Sequence, residues 1–342
     1  MGVSKVANKL AWSIKRQSAF GTPLAKTDLT RFAKFADAIL IDDAPEHWSD
    51  RGMVGLGHEW ETQKGIIKQM VKVEIGSQPM DIDLISYLAA MFFSNVATVD
   101  NTGSYTHTAK WATLAAQAAA WPFSVAVCED GVDQCVQDLA VQTLSIKGDG
   151  ENRLEVGASL IGSKLATPLG TYTWPSAVAA RYVYNYAGAF SIDAADKKSQ
   201  LRSFELSLES GISQALAWKK AAAEADRIYP QEWPFTPERK MNLQVGIVAA
   251  TGNLATFRAA WKAGTEMAVV LSCTGAEIGS SGEYDTVAIT VPKAVITGLK
   301  ESYSDGYQHL DLTLDGHYDS TTGGPLKIEV TNDEASIGAA AS

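Results

Sequence analysis

The most regular hydrophobic pattern in the chain has a period of two, and it fills two long hairpins. From Val136 to Gly162 the sequence reads VQDLAVQTLSIKGDGENRLEVGASLIG. Leu154, Val156, Ala158 and Leu160 alternate with Glu155, Gly157 and Ser159, which predicts a strand with one buried and one polar face. The preceding strand changes phase: Leu139 and Val141 are odd, Leu144 and Ile146 even. A β-bulge produces such a switch. Gly148-Asp149-Gly150 supplies residues that tolerate the positive φ of a tight turn. The second hairpin runs from Thr286 to Gly316. Ile289 and Val291 are odd, Ile296 is even after Pro292, and Leu310, Leu312 and Leu314 alternate with Asp311, Thr313 and Asp315.

Shorter alternations predict strands at Val71, Val73 and Ile75, and from Phe123 to Val127. A helical period appears in two places. Ile82, Ile85, Leu88, Ala89, Phe92 and Phe93 form one apolar stripe, with Asp81 or Ser77 as cap and Asp83 in the first turn. Leu254, Phe257, Ala260 and Trp261 form another, from about Asn253 to Lys262. Arg31–Leu40 is a short strand or helix. Residues 1–30 read as an extended arm, 42–55 and 94–108 as polar loops, and 331–342 as a flexible tail. Ala112–Ala120 is a short helix or a small-residue packing surface. Residues 164–180 have the Pro and Gly of a linker, although Tyr172 and Trp174 within it call for something to pack against.

The order of elements repeats. Val71, Val73 and Ile75 match Leu243, Val245 and Ile247; the helix from Met80 matches the one near Asn253; SVAVCEDG at 124–131 matches VVLSCTG at 269–275; the hairpins match last. Upstream, ETQKGI at 61–66 is laid over SLESGI at 207–212. The extra material in the second half is 214–237, with the strong helix former ALAWKKAAAEADRI. The division expected is therefore two domains, 1–165 and 166–330. The alternative is two unrelated β-rich domains that share only generic alternation.

With 342 residues and 46% hydrophobic side chains the chain can bury a substantial core. Its net charge of −10 excludes the basic footprint of a nucleic-acid binder. Cys128, Cys135 and Cys273 fit no zinc spacing and read as buried thiols, with a Cys128–Cys135 disulfide as the alternative. The start lacks the pattern of a signal peptide, and no apolar run is long enough to span a bilayer. Nucleophile, P-loop and zinc-protease motifs are absent. His309 with His317 as metal ligands, an acidic calcium loop at Asp42, Asp43, Glu46 and Asp50, and an acid–base pair of Asp311 with Asp315 are each weaker than ordinary solvated positions. The reading is no enzyme and no cofactor.

IKRQSAFGTPL at 14–24, GAFSIDAADKKSQLRSFELSLESGI at 188–212 and the hairpin at 133–162 resemble segments of long-tailed bacteriophage major tail tube proteins. The resemblance covers most of the chain. It implies a mainly β fold of two tandem β-sandwich or barrel domains of the tail-tube type, each with a flanking α-helix. The inner sheets would join across subunits into a β-barrel around a channel for DNA. It implies a virion tail protein, made in the host bacterial cytoplasm, that self-assembles into stacked rings beside tape measure, tail terminator and tail tip proteins. Single-domain relatives form sixfold rings, so a duplicated chain would form trimers of pseudo-sixfold symmetry. Glu74, Glu155, Glu205, Glu209, Asp311 and Asp315 sit on polar strand faces and are the candidate lumen-facing acids. Arg16, Phe20, Trp48 and Arg51 lie in poorly periodic segments and are the candidate contacts between subunits or rings. A capsid decoration or adhesion protein built of immunoglobulin-like sandwiches is the alternative.

Overall fold

The structure is a computed structural model. It describes residues 5–341 apart from 44, 51–52, 55–57, 60–62, 130–131, 150–151, 167–171, 177–178, 215–216, 218–228, 250–252 and 305. The chain opens with β1 (Lys5–Trp12) and β2 (Arg31–Asp42), followed by an excursion made of β3 (Glu46–Asp50), β4 (Met53–Val54), β5 (His58–Glu59) and β6 (Gln63–Lys68). Then come β7 (Val71–Pro79), helix α1 (Ile82–Phe93), the hairpin β8 (Val96–Asp100) and β9 (Tyr105–Lys110), β10 (Phe123–Glu129), β11 (Val132–Asp149), β12 (Glu155–Gly162) and β13 (Lys164–Ala166). The second half holds β14 (Tyr184–Ile192), β15 (Ala195–Asp196), β16 (Leu201–Glu209), β17 (Lys240–Val248), α2 (Asn253–Ala263), β18 (Met267–Glu277), β19 (Tyr284–Ser304), β20 (Tyr307–Gly316) and β21 (Lys327–Asn332).

Most strands belong to one 17-stranded sheet, and its strand pairings among the described residues are antiparallel. In the first half the pairings close on themselves, running β1–β10–β11–β12–β7–β2 and back to β1. In the second half β14–β18–β19–β20–β17–β16 repeats the same wiring. Among the described residues that second circuit stays open, because β16 pairs with β11 of the first half instead of with β14. The halves also share one continuous hydrophobic core, from Leu10 to Ile337. They are two copies of one wiring rather than two separate sandwiches on a linker.

Local chemistry accounts for the elements. The phase change in β11 is a bulge: its register with β12 shifts between Val141 and Thr143. The irregularity near Pro292 is also present, between Val291 and Ala294 against β18. Asp81 caps α1, its carboxylate accepting the Asp83 N–H at 2.9 Å. Every residue of α1 except Asp83 is buried, which the apolar stripe alone did not require. On α2 only Phe257 is buried, and Trp261, placed on its apolar side by the pattern, is 42% exposed. The three cysteines form no disulfide with one another, and Cys135 and Cys273 are buried.

Several expected segments differ. The arm at 1–30 is in part a core strand, with Leu10, Ala11 and Trp12 buried. The loops at 42–55 and 94–108 contain β3–β4 and the hairpin β8–β9. The alanine-rich stretch is a packed segment bonded through Ala118 and Ala120 to Phe235 and Trp233. The helix expected in the insertion falls mostly on residues outside those described. Residues 61–66 are not the counterpart of 207–212; in the wiring β16 takes the place of β2. The linker packs as its aromatics suggest, Tyr172 donating to the Leu29 carbonyl and Trp174 to Asp133. The closing segment is not a free tail: Ile337 and Glu334 are buried, and Gly338, Ala339 and Ala341 bond to the backbone of Ile14 and Arg16.

Candidate functional site: the polar face of an eight-stranded sheet

The pairings define one run of neighbours, β2–β7–β12–β11–β16–β17–β20–β19. Its middle seam joins the two copies. There the C-terminal half of β11 pairs with β16, Thr143 opposite Glu209 and Asp149 opposite Ser203. A row across this sheet reads Gln78, Val156, Ile146, Leu206, Leu243, Leu314, Ile296, and all of these side chains are buried. The adjacent row reads Pro79, Glu155, Lys147, Glu205, Gln244, Thr313, Gly298. Because side chains alternate faces along each strand, one face of the whole sheet is core and the other polar. At the seam Gly148 lies opposite Phe204, and a Cβ on it would fall 2.5 Å from the Phe204 ring. The bare backbone lets the two copies close there.

All six acids singled out in the sequence share this polar face. Glu74 pairs with Ser159, Glu155 and Glu205 flank Lys147, Glu209 pairs with Lys240, Asp311 lies opposite Gly246, and Asp315 is two residues along from Thr313. Asp42 and Asp149 join them, so carboxylates outnumber the lysines of the face, Lys72, Lys147, Lys240 and Lys300. Two of the acids are neutralised within the face: Lys147 Nζ sits 3.1 Å from Glu205 and Lys240 Nζ 2.8 Å from Glu209. The hydrogen bond to Glu209 holds the Lys240 ammonium above its usual range. An open groove of about 700 Å³ runs over the face between Asp149, Glu155, Glu205 and Asp311.

The predicted contact residues are dispersed. Arg16 donates to the Gly338 carbonyl at 3.2 Å and lies 4.7 Å over the Trp121 ring. Phe20 packs edge-on against Trp233 at 6.1 Å. Both therefore make contacts within the chain. Trp48 pairs through its backbone with Gly65 in the β3–β6 hairpin; its side chain and Arg51 lie outside the described residues.

Two constellations were not read from the sequence. Gln17 and Asp138 are both buried. Gln17 donates to Asp138 at 2.7 Å and to the Thr22 carbonyl, and it accepts from the Asp138 N–H and Ser124. Asp138 also takes the Gly21 N–H and the Ser163 hydroxyl, at a positive φ of 54°. Its one sequence signal is a carboxylate inside the apolar run of β11. The second constellation is Arg181, which reaches Asp83 on α1 at 2.7 Å, Asp285 on β19 at 3.2 Å and Asp333 of the closing segment at 2.5 Å. Burial pushes the Asp83 and Asp285 carboxyls up to about 6 against the lowering pull of Arg181. Asp83, Asp333 and Glu334 are close enough to share a cation, yet Arg181 and Arg31 already stand on them. His309 is buried on β20, while His317 pairs with Glu266.

No family model matches this sequence, and no curated protein matches it. No helix among the described residues is long and apolar enough to cross a membrane.

Proposed function

We propose that this chain is the structural subunit of a phage tail tube, assembling as rings of three chains that stack around a channel for DNA. The observation that carries the reading is the β11–β16 seam together with its missing counterpart. Wiring makes β19 the second copy's β11. From Ile296 to Ser304, β19 pairs among the described residues only with β20, whereas the matching stretch of β11 pairs with both β12 and β16. An exposed strand edge of this length is a template for another chain. Repeating the seam from chain to chain is a heterologous contact, which makes a ring if the rotation closes. Three chains then supply six copies, and the acid-rich polar face lines the ring.

An acidic lining suits passage of DNA, which carries about one charge per 1.7 Å of axis and would be held by a basic wall. Tape measure, terminator and tip proteins are the partners such a tube requires. Electron microscopy of the purified chain tests the reading. Rings or tubes with three chains per ring are expected; six chains per ring, or discrete unstacked particles, would refute it.

A further inference from the structure

In the assembled seam, Leu206 and Leu208 of β16 lie opposite Ile146 and Leu144 of β11. The wiring carries this register to the next chain. Leu206 faces Leu243 on β17, which faces Leu314 on β20. In the first copy Ile41 faces Val73 on β7, which faces Leu160 on β12. Leu160 and Leu314 are the partners of Val141 and Ile296, each the last residue before the bulge of its long strand. So Ile39 and Ile41 stand where Phe204 and Leu206 stand, and Leu299 and Glu301 where Leu144 and Ile146 stand. The next chain's Glu301 is therefore due opposite Ile41 and its Tyr303 opposite Ile39. The parity matches the seam, since a slip of one residue would turn Ile39 and Ile41 to the polar face.

That edge of β2 is occupied. Lys5, Val6 and Ala7 of β1 pair with Ile41, Leu40 and Ile39. Among the described residues, β14, the counterpart of β1, makes no such pairing with β16, whose edge carries β11 instead. The two copies thus display the two states of one edge, covered in the first and joined in the second. We infer that Lys5–Ala7 is a removable edge cap that holds the free chain back from assembly and leaves β2 when β19 of a second copy docks. This rests on the ring reading for its partner. Only the first turn of β1 need move, because Leu10–Trp12 stays buried between β2 and β10.

A reversible lock tests it in the full chain. Val6 and Leu40 are directly opposite, and antiparallel partners stand roughly 4.5–5.5 Å apart at Cα, within disulfide reach. Val6→Cys with Leu40→Cys, in a Cys128→Ser background, is compared oxidised and reduced by two readouts. The first is assembly followed by light scattering. The second is binding of a labelled peptide of residues 294–304, which needs no ring. The reduced protein is expected to bind the peptide about tenfold or more tightly than the oxidised one, and to assemble where the oxidised one does not. Equal peptide binding in both states overturns the cap. Peptide binding controlled by the lock, with no rings from the wild type, would leave the cap standing and sink the ring reading.

Discussion

Replacing Arg181 by alanine removes a guanidinium on which carboxylates of both copies and of the closing segment converge. The backbone should stay in place, because the Arg181 N–H bonds to the Asp81 carboxylate at 2.8 Å and its carbonyl accepts from Ile82 at 2.9 Å. The loss is therefore electrostatic. The side chain of Asp285 is 1% exposed, that of Asp83 15% and that of Asp333 56%. An exposed partner such as Asp333 contributes at most about 1 kcal/mol. Stripping the countercharge from buried carboxylates costs roughly 3–5 kcal/mol. Arg181 itself is one-quarter exposed, so the lower end applies, about 3 kcal/mol at pH 8.

Acid should relieve that loss. Asp83 and Asp285 have folded values raised to about 6, above the roughly 3.9 of an unfolded aspartate. Their protonated forms favour the fold, a contribution fully present below about pH 4 and lost as pH rises through 6. Without Arg181, which pulls both values down, the loss should steepen and extend to higher pH. Urea unfolding of the unassembled chain at pH 5 and pH 8 measures it. The expected result is a variant penalty several-fold larger at pH 8 than at pH 5. A penalty below about 0.5 kcal/mol, or one independent of pH, would refute the assignment of Arg181 as the clasp.

Three further outcomes follow from the same geometry. If the chain forms the proposed tube, replacing Glu74, Glu155, Asp311 and Asp315, which have no lysine ion pair within the described face, by lysine should leave tubes intact and slow DNA ejection, most at low salt where screening is weak; wild-type rates at every salt concentration would remove lumen charge as the reason for the acidity. Gln17→Ala should cost about 2–4 kcal/mol in thermal or urea unfolding, since it strands the buried Asp138 and Ser124 groups. Phe20→Ala should lower stability by about 1–2 kcal/mol through the lost Trp233 contact without changing assembly; normal stability with failed stacking would return Phe20 to the ring contacts.

The alternation of Leu154 to Leu160 and of Leu310 to Leu314, the bulge before Leu144, the Asp81 cap and the repeated order of strands were legible because each depends on neighbours within a few residues. The faces of the six acids were legible for the same reason, as strand parity is local. Residues that act across the chain were not. Arg16 and Phe20 look like surface anchors in an aperiodic segment, yet they meet Gly338 and Trp233, more than 200 positions away. Arg181, just past the linker-like stretch at 164–180, gathers carboxylates from α1, β19 and the closing segment, and nothing in periodicity marks such a meeting.

By itself, then, the sequence determined the two long hairpins, the strands around Val71–Ile75 and Phe123–Val127, their buried faces and the repeated order of these elements, since these follow from period-two patterning and turn chemistry. Only the tertiary structure decided that the two copies share one core, that β16 pairs with β11 while β1 covers β2, and that the acids of six strands form a single face. Those outcomes rest on which edge meets which. Backbone hydrogen bonds carry no residue code beyond parity, so edge pairing is settled by the packing of the whole chain.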